Sequence, residues 1–215
     1  MKKQQSGFTL VEIAIVMVII GLLLGGVLKG QEVITNARLK NINNEYNGIS
    51  AAVYSYQDRY RALPGDDAAA DAHVNGLVNS AATVGNGIIE GVFDVADAAI
   101  GVGNAESLLA WHHLRASGLV SGSGLQADET SNDRPVNAIG GVTGIETGGG
   151  NAADGTFIPG LVIGFSAIPP DMAQILDIQN DDGNADAGSI VTGTLGTTYA
   201  AHITAGTIQR LFFGF

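Results

Sequence analysis

An apolar run from Phe8 to Leu28 constrains this chain more than any other feature of its sequence. Its 21 residues, wound into an α-helix at about 1.5 Å per residue, span roughly 31 Å, which matches the hydrocarbon core of a bilayer. The run therefore predicts a membrane-spanning helix. Glu12 is its one ionisable side chain. Because an unpaired carboxylate in a bilayer costs at least a few kcal/mol, we interpret Glu12 as a functional residue that requires a cation.

The residues ahead of the run suggest where that cation comes from. The segment 1–7 is short and basic. By the positive-inside rule this predicts that the N-terminus stays in the cytoplasm and that the chain beyond the apolar run is exported. No Lys or Arg occurs within residues 4–28, so the helix cannot neutralise Glu12 itself. A cut after Gly7 would create an α-amino group on Phe8, four residues from Glu12. We hypothesise that this amine pairs with Glu12 of a neighbouring subunit.

The segment Gly7-Phe8-Thr9-Leu10-Val11-Glu12, preceded by Lys2-Lys3 and followed by the apolar helix, resembles the class III signal of type IV pilins and type II secretion pseudopilins. The resemblance covers about 30 of the 215 residues. It implies that a prepilin peptidase cleaves between Gly7 and Phe8, that the new N-terminal Phe8 is methylated, and that Glu12 acts in subunit docking. It also implies an inner-membrane assembly platform as a partner and a homo- or hetero-oligomeric filament as the product.

Two other interpretations of the apolar run are weaker. A secretory signal peptide should end in a small-x-small cleavage site, but the apolar core runs into Val27-Leu28-Lys29-Gly30-Gln31, which contains none. A plain membrane anchor explains the apolar run but leaves Glu12 unexplained.

Beyond the run, apolar residues continue at helical spacing to Arg61, and Pro64 ends the pattern. The chain then divides into a leader peptide (1–7), a transmembrane assembly helix (8–28), its amphipathic continuation (29–63) and a globular head (64–215). We predict an α+β fold of the pilin type, in which the C-terminal half of the long helix packs on an antiparallel sheet of the head.

Pattern and turn residues predict the elements of the head. They are helices at 68–74, 104–118 and 172–178, strands at 88–93, 156–168, 189–195, 201–204 and 208–215, and a long exposed loop at 122–155.

The charge of the chain is uneven. The formal net charge is −11, and residues 62–215 carry 17 acidic side chains against three basic ones. Such a surface repels phosphate backbones, so we expect no nucleic-acid partner. The chain contains no cysteine, which excludes disulfide bonds.

One acidic loop is a candidate metal site. Its oxygen-bearing side chains could wrap a calcium ion, which prefers six to eight oxygens in a flexible loop. Some pseudopilin heads hold calcium in a C-terminal loop, so the resemblance points the same way. The alternative is an acidic turn before a strand, which Asp182-Gly183 favours on local grounds alone. The predicted ligands are Asp177, Asp181, Asp182, Asn184 and Asp186.

No nucleophile, metal or phosphate-binding signature of an enzyme occurs, so we predict a structural protein with no catalytic residues. The predicted function is that of a subunit of a type IV pilus or a pseudopilus. It is held in the bacterial inner membrane before assembly and then lies in a periplasmic pseudopilus or an extracellular pilus. The alternative is a membrane-tethered adhesin or binding tip that uses the loop 122–155.

Overall fold

The computed structural model describes residues 9–74, 85–94, 105–122, 134–151, 156–193, 198–200, 203 and 209–215. Within them the chain forms four helices and four strands. In chain order these are α1 (Leu10–Tyr60), α2 (Ala70–His73), α3 (Ala105–Ala116), β1 (Thr143–Asn151), β2 (Thr156–Ile168), α4 (Pro170–Asn180), β3 (Ile190–Thr192) and β4 (Gln209–Gly214). Gly7, Phe8 and Asn104 lie outside the described residues.

Helix α1 runs without interruption for 51 residues, about 76 Å at the usual rise. It ends at Tyr60 because Arg61 adopts a left-handed φ of 57° and Pro64 cannot continue a helix. The prediction of one long helix that stops before Pro64 is confirmed. The chain divides into two compact units, residues up to Lys40 and the segment Asn41–Phe215, which we call the head unit.

A sheet of four antiparallel strands forms the centre of the head unit, in the order β1-β2-β4-β3. Adjacent residues of β4 point to opposite faces of the sheet, as the pleat of a strand requires. Phe213 faces α1, with its ring centroid 5.1 Å from that of Tyr46. Phe212 faces the other way, where it meets Phe93 at 5.6 Å. The predicted α+β fold, with a long helix and a C-terminal antiparallel sheet, is confirmed.

The second face of the sheet is covered by the segment 85–94. The ring of Phe93 lies over Gly144 and Gly164, which are register partners on β1 and β2. A Cβ at Gly144 would lie 2.8 Å from Cγ of Phe93, so the ring fits only because neither strand carries a side chain there. Thr147 joins the segment to the edge of β1, since its N–H donates to Ile89 O at 3.0 Å and its hydroxyl accepts from Ile89 N at 2.7 Å.

Three predictions about the head were wrong. Residues 88–93 form no strand, because Ile89 O accepts the N–H of Thr147 on β1 but no ladder continues from it, and the chain turns at Phe93. The segment 122–155 is not one exposed loop, because Thr143–Asn151 forms strand β1 with Ile145 fully buried. Ile203, within the strand predicted at 201–204, is helical; the rest of that stretch lies outside the described residues.

The other predicted elements were found with small shifts in their ends. Helix α4 begins two residues before the predicted start, with Pro170 in its first turn, where the missing N–H is harmless. Strand β2 runs from Thr156 to Ile168 through Pro159 and Gly160. Gly118 lies just past α3 with a φ of 74°, as a helix C-terminus favours.

Candidate functional site

The N-terminal part of α1 presents an apolar surface on all sides. Every residue from Leu10 to Leu28 is exposed, and Leu10 and Leu22 are 91% and 75% exposed. Among the described residues, α1 is the one helix long and apolar enough to cross a membrane. An uncovered apolar surface of this extent is unstable in water, so lipid or other protein must cover it.

Glu12 lies in the first turn of α1 and is bound to Thr9. Its Oε2 accepts hydrogen bonds from the N–H of Thr9 at 2.9 Å and from the hydroxyl of Thr9 at 2.8 Å. The Thr9 hydroxyl in turn accepts the N–H of Glu12 at 3.3 Å. This reciprocal arrangement is a capping box, which satisfies N–H groups that a helix start otherwise leaves without acceptors.

Sequence reasoning missed this capping role, although the spacing Thr9-x-x-Glu12 before an apolar run is its usual signal. This capping role gives Glu12 hydrogen-bond donors but no positive charge. Both donors belong to Thr9, which is neutral, so the carboxylate is hydrogen-bonded without being neutralised. A cation from outside would therefore still lower its free energy in an apolar environment.

Residues 2–28 match the family model of the prokaryotic N-terminal methylation motif. The chain carries a prepilin signal. The signal supports a pilin-like or pseudopilin-like substrate of prepilin peptidase and indicates a structural protein. Together with the apolar helix, it is consistent with membrane anchoring before assembly.

The prepilin signal accounts for the leader and for the start of α1, and no part of the head unit is included in the match. No curated protein and no solved structure matches the chain. The role of the head unit therefore has to be argued from its own residues.

The acidic loop after α4 brings together three of the five predicted calcium ligands. Asp177, Asp181 and Asp182 offer carboxylate oxygens that all lie within 4.8 Å of one another. Two ligands bound to one calcium ion at about 2.4 Å cannot be further apart than about 5 Å, so this spacing fits a shared ion. The metal site remains a prediction.

Hydrogen bonds within the loop use part of this oxygen set. Asp177 accepts the N–H of Gly183 at 3.1 Å and the hydroxyl of Tyr199 at 2.8 Å. Asp181 accepts the N–H groups of Ser189 and Ile190. These contacts show how an acidic turn could be stable without an ion, which is the alternative interpretation.

The two remaining predicted ligands differ from each other. Asn184 is engaged locally, since its side-chain oxygen accepts the N–H of Asp186 at 3.4 Å. Asp186 has a buried Oδ1 that accepts no hydrogen bond within the described part of the chain. A buried oxygen without a donor is costly, and a cation is one group that would satisfy it. The donor chemistry of the loop therefore fits calcium, with Asp177, Asp181 and Asp182 as the residues that would hold it. The structure does not bring Asp186 into this cluster, so its role as a ligand stays a prediction.

Asp177 is fully buried and lies beside the carboxylates of Asp181 and Asp182. The pKa of Asp177 is raised to about 6, mainly by burial and also by the neighbouring carboxylates of Asp182 and Asp181, while the hydrogen bonds from Tyr199 and Gly183 act to lower it. A bound cation would oppose this shift, because it favours the ionised form.

The paired carboxylates Asp66 and Asp67, which follow the long helix, have a structural role. Asp66 accepts the N–H groups of Gly85 and Gly87 at 2.5 and 2.6 Å. Asp67 accepts the hydroxyl of Tyr56 at 2.8 Å and contacts Nδ1 of His73 at 2.7 Å. Asp66 therefore connects the turn after α1 to the segment 85–94, and Asp67 connects it to α1 and α2.

Proposed function

We propose that this protein is a structural subunit of a type IV pilus or pseudopilus, assembled through the N-terminal part of α1. The observation that carries the proposal is the coincidence of the prepilin signal with an apolar helix surface that is exposed on every side. Prepilin peptidase removes residues 1–7 and leaves Phe8 as a methylated N-terminus. The basic leader keeps this end in the cytoplasm, so the head unit lies outside the inner membrane.

Glu12 selects the position of each new subunit. Its own helix offers only the neutral donors of Thr9, and no Lys or Arg occurs within residues 4–28. The α-amino group of Phe8 on an adjacent subunit supplies the missing cation at the same depth in the apolar bundle. Removal of one partner from a buried ion pair costs about 3–5 kcal/mol, enough to stop assembly.

The apolar surface supplies van der Waals packing between subunits. Leu10 to Leu28 are covered by lipid in the membrane and by other subunits in the filament. The exchange of lipid for helix contacts releases little hydrophobic free energy, so the specific pair at Glu12 decides the register of the helices.

The first test is the mass of the protein extracted from filaments. We expect a chain that begins at Phe8 and carries one methyl group. A mass that begins at Met1 contradicts the proposal.

The second test is the variant Glu12→Ala. We expect normal amounts of membrane-bound subunit and loss of filaments. The matched control is Ser55→Ala, an exposed position of α1 in the head unit whose hydroxyl bonds only to Ala51 O at 2.6 Å. Filaments of Glu12→Ala as abundant as those of the control would exclude the assembly role of Glu12.

The alternative function is a binding tip that uses part of the segment 122–155. Strand β1 occupies Thr143–Asn151 of that segment and belongs to the sheet, so the test leaves it intact. Replacement of residues 123–133 by a short Gly-Ser linker separates the two functions. Lost adhesion with normal filaments supports the tip, and lost filaments support a role in the filament itself.

A further inference from the structure

The part of α1 that follows the apolar run carries three exposed cations, Lys29, Arg38 and Lys40. Lys29 is already engaged, because it forms a 2.7 Å ion pair with Glu32 on the same helix. Arg38 and Lys40 form no ion pair with any residue that the structure describes. They are two residues apart, so they point to nearly opposite sides of the helix, about 200° from each other.

Arg38 and Lys40 lie too far along α1 to bind lipid headgroups in a subunit whose apolar run spans the membrane. They follow Leu28 by ten and twelve residues, which is about 15 and 18 Å along a helix. The headgroup layer of one leaflet is about 5–8 Å thick. Lys29 therefore lies among the headgroups, whereas Arg38 and Lys40 lie beyond them and are available to protein.

The head unit carries the opposite charge. Its residues 62–215 contain 17 acidic side chains and three basic ones. Of those three, Arg134 is buried, and Arg210 pairs with Asp94 at 2.6 Å. The surface of the head therefore has a negative potential, and like heads repel one another when they are brought together.

We propose that Arg38 and Lys40 of one subunit contact acidic side chains of the head unit of a second copy of this chain. This inference rests on the proposed function, because a filament is what brings a second copy within reach. The occupant is a second copy because its head unit has the complementary charge and each further subunit of a filament supplies another.

The contact has two consequences for packing in the filament. Because Arg38 and Lys40 point to opposite sides of α1, they contact two different neighbours, as a helix surrounded by other subunits allows. The exposed apolar side chains of Val33 and Ile34 lie between Lys29 and Arg38, and the same neighbours cover them.

Carbodiimide cross-linking tests the contact, since it joins a lysine amine to a carboxylate where the two touch. After removal of residues 1–7 the chain has two lysines, Lys29 and Lys40. Filaments of Lys29→Arg keep the charge and leave Lys40 as their one lysine. We expect covalent multimers in which peptide mass spectrometry finds Lys40 joined to an acidic residue within 62–215.

The matched control is Lys29→Arg with Lys40→Arg, which has the same charge and no lysine after processing. It measures the multimers that form through other amines, such as the terminus at Phe8. Multimers as abundant in this control as in Lys29→Arg overturn the inference, and so do Lys40 cross-links found only in the monomer. Addition of Arg38→Lys to the control should restore the cross-linked multimers, and failure to do so overturns the contact at Arg38.

Charge reversal is the second measurement. We expect Arg38→Glu with Lys40→Glu to reduce filament yield about tenfold at equal amounts of membrane-bound subunit, because like charges then meet at the contact. Arg38→Lys with Lys40→Arg exchanges the two cations without a change of charge and should leave the yield as it is. Equal yields of these two variants overturn the inference. If the native chain forms no filaments and retains residues 1–7, the proposed function fails instead.

Discussion

The backbone N–H of Phe93 donates a 2.7 Å hydrogen bond to the carboxylate of Glu146, which is buried on strand β1. Arg134 donates to the carbonyl of the same Phe93, so both backbone groups of that residue are bound. Together with the ring that lies over Gly144, these bonds hold the segment 85–94 against the sheet. Trp111 is the single tryptophan of the chain and is buried in the head unit, so its fluorescence reports the unfolding of that unit.

The first prediction concerns pH. Burial raises the pKa of Glu146 from 4.5 to about 7, with Asp94 adding to the shift and Phe93 and Arg210 opposing it. The folded state therefore binds the proton more tightly than the unfolded state, and stability falls as the pH rises from about 4.5 to 7. Glu146 should make the full chain in detergent less stable at pH 8 than at pH 4.5, by an amount on the order of 3 kcal/mol.

Glu146→Gln isolates this effect, because glutamine keeps an oxygen that accepts the N–H of Phe93 but does not titrate. We expect the variant to be more stable than the native chain at pH 8 and similar to it near pH 4.5, measured by urea unfolding. A stability difference that does not change with pH would contradict the assignment.

The second prediction concerns Gly144. A Cβ there would lie 2.8 Å from Cγ of Phe93 and closer still to Cβ of that residue, so Gly144→Ala has to displace the ring. We expect a loss of about 1–3 kcal/mol, as for other overpacked cores. Gly48→Ala is the control, because Gly48 is exposed on α1 with nothing within 4 Å of an added Cβ. Alanine should stabilise the helix there by up to about 1 kcal/mol.

The third prediction concerns calcium. If Asp177, Asp181 and Asp182 hold an ion, calcium at about 100 times its dissociation constant should stabilise the head unit by about 2.7 kcal/mol, and a chelator should remove the gain. Asp182→Asn should weaken the response. Asp171→Asn, a carboxylate outside the cluster, should keep it. An unfolding midpoint that is the same with calcium and with chelator would leave the acidic turn as the correct interpretation.

The fourth prediction concerns Tyr199, whose hydroxyl donates to Asp177. Tyr199→Phe removes a donor that stabilises the ionised carboxylate, so the pKa of Asp177 should rise further. We expect a loss of stability of about 1–3 kcal/mol near pH 8. NMR titration of the aspartate carboxyl carbons measures the shift. Tyr54→Phe, at a tyrosine that is 53% exposed, is the control and should change neither quantity.

Much of the fold was readable from local patterns. Helix α1 has apolar residues at helical spacing and a proline just past its end, and α4 has a proline at its start, so their positions were predictable. The acidic loop could be predicted from its cluster of Asp and Asn residues. Its geometry could not be predicted, because the hydrogen bond between Tyr199 and Asp177 joins residues that are 22 positions apart.

The errors lie where a long-range contact overrides a local preference. Strand β1 contains Thr147-Gly148-Gly149-Gly150, a stretch typical of a loop. Glycine is nevertheless required in this strand, because Gly144 makes room for the ring of Phe93 and Gly149 for that of Phe212. The segment 88–93 has β-branched and aromatic residues typical of a strand. It covers the sheet instead, because Phe93 turns into the space over Gly144.

The amino-acid sequence by itself determined the signal, the helix apolar enough to cross a membrane and the single acid at Glu12 within it, because each depends on residues within a few turns of one another. Only the tertiary structure decided which glycines make room for aromatic rings and which carboxylates are buried. Those properties arise from strands and helices that are distant in the chain and meet through packing, which no local pattern records.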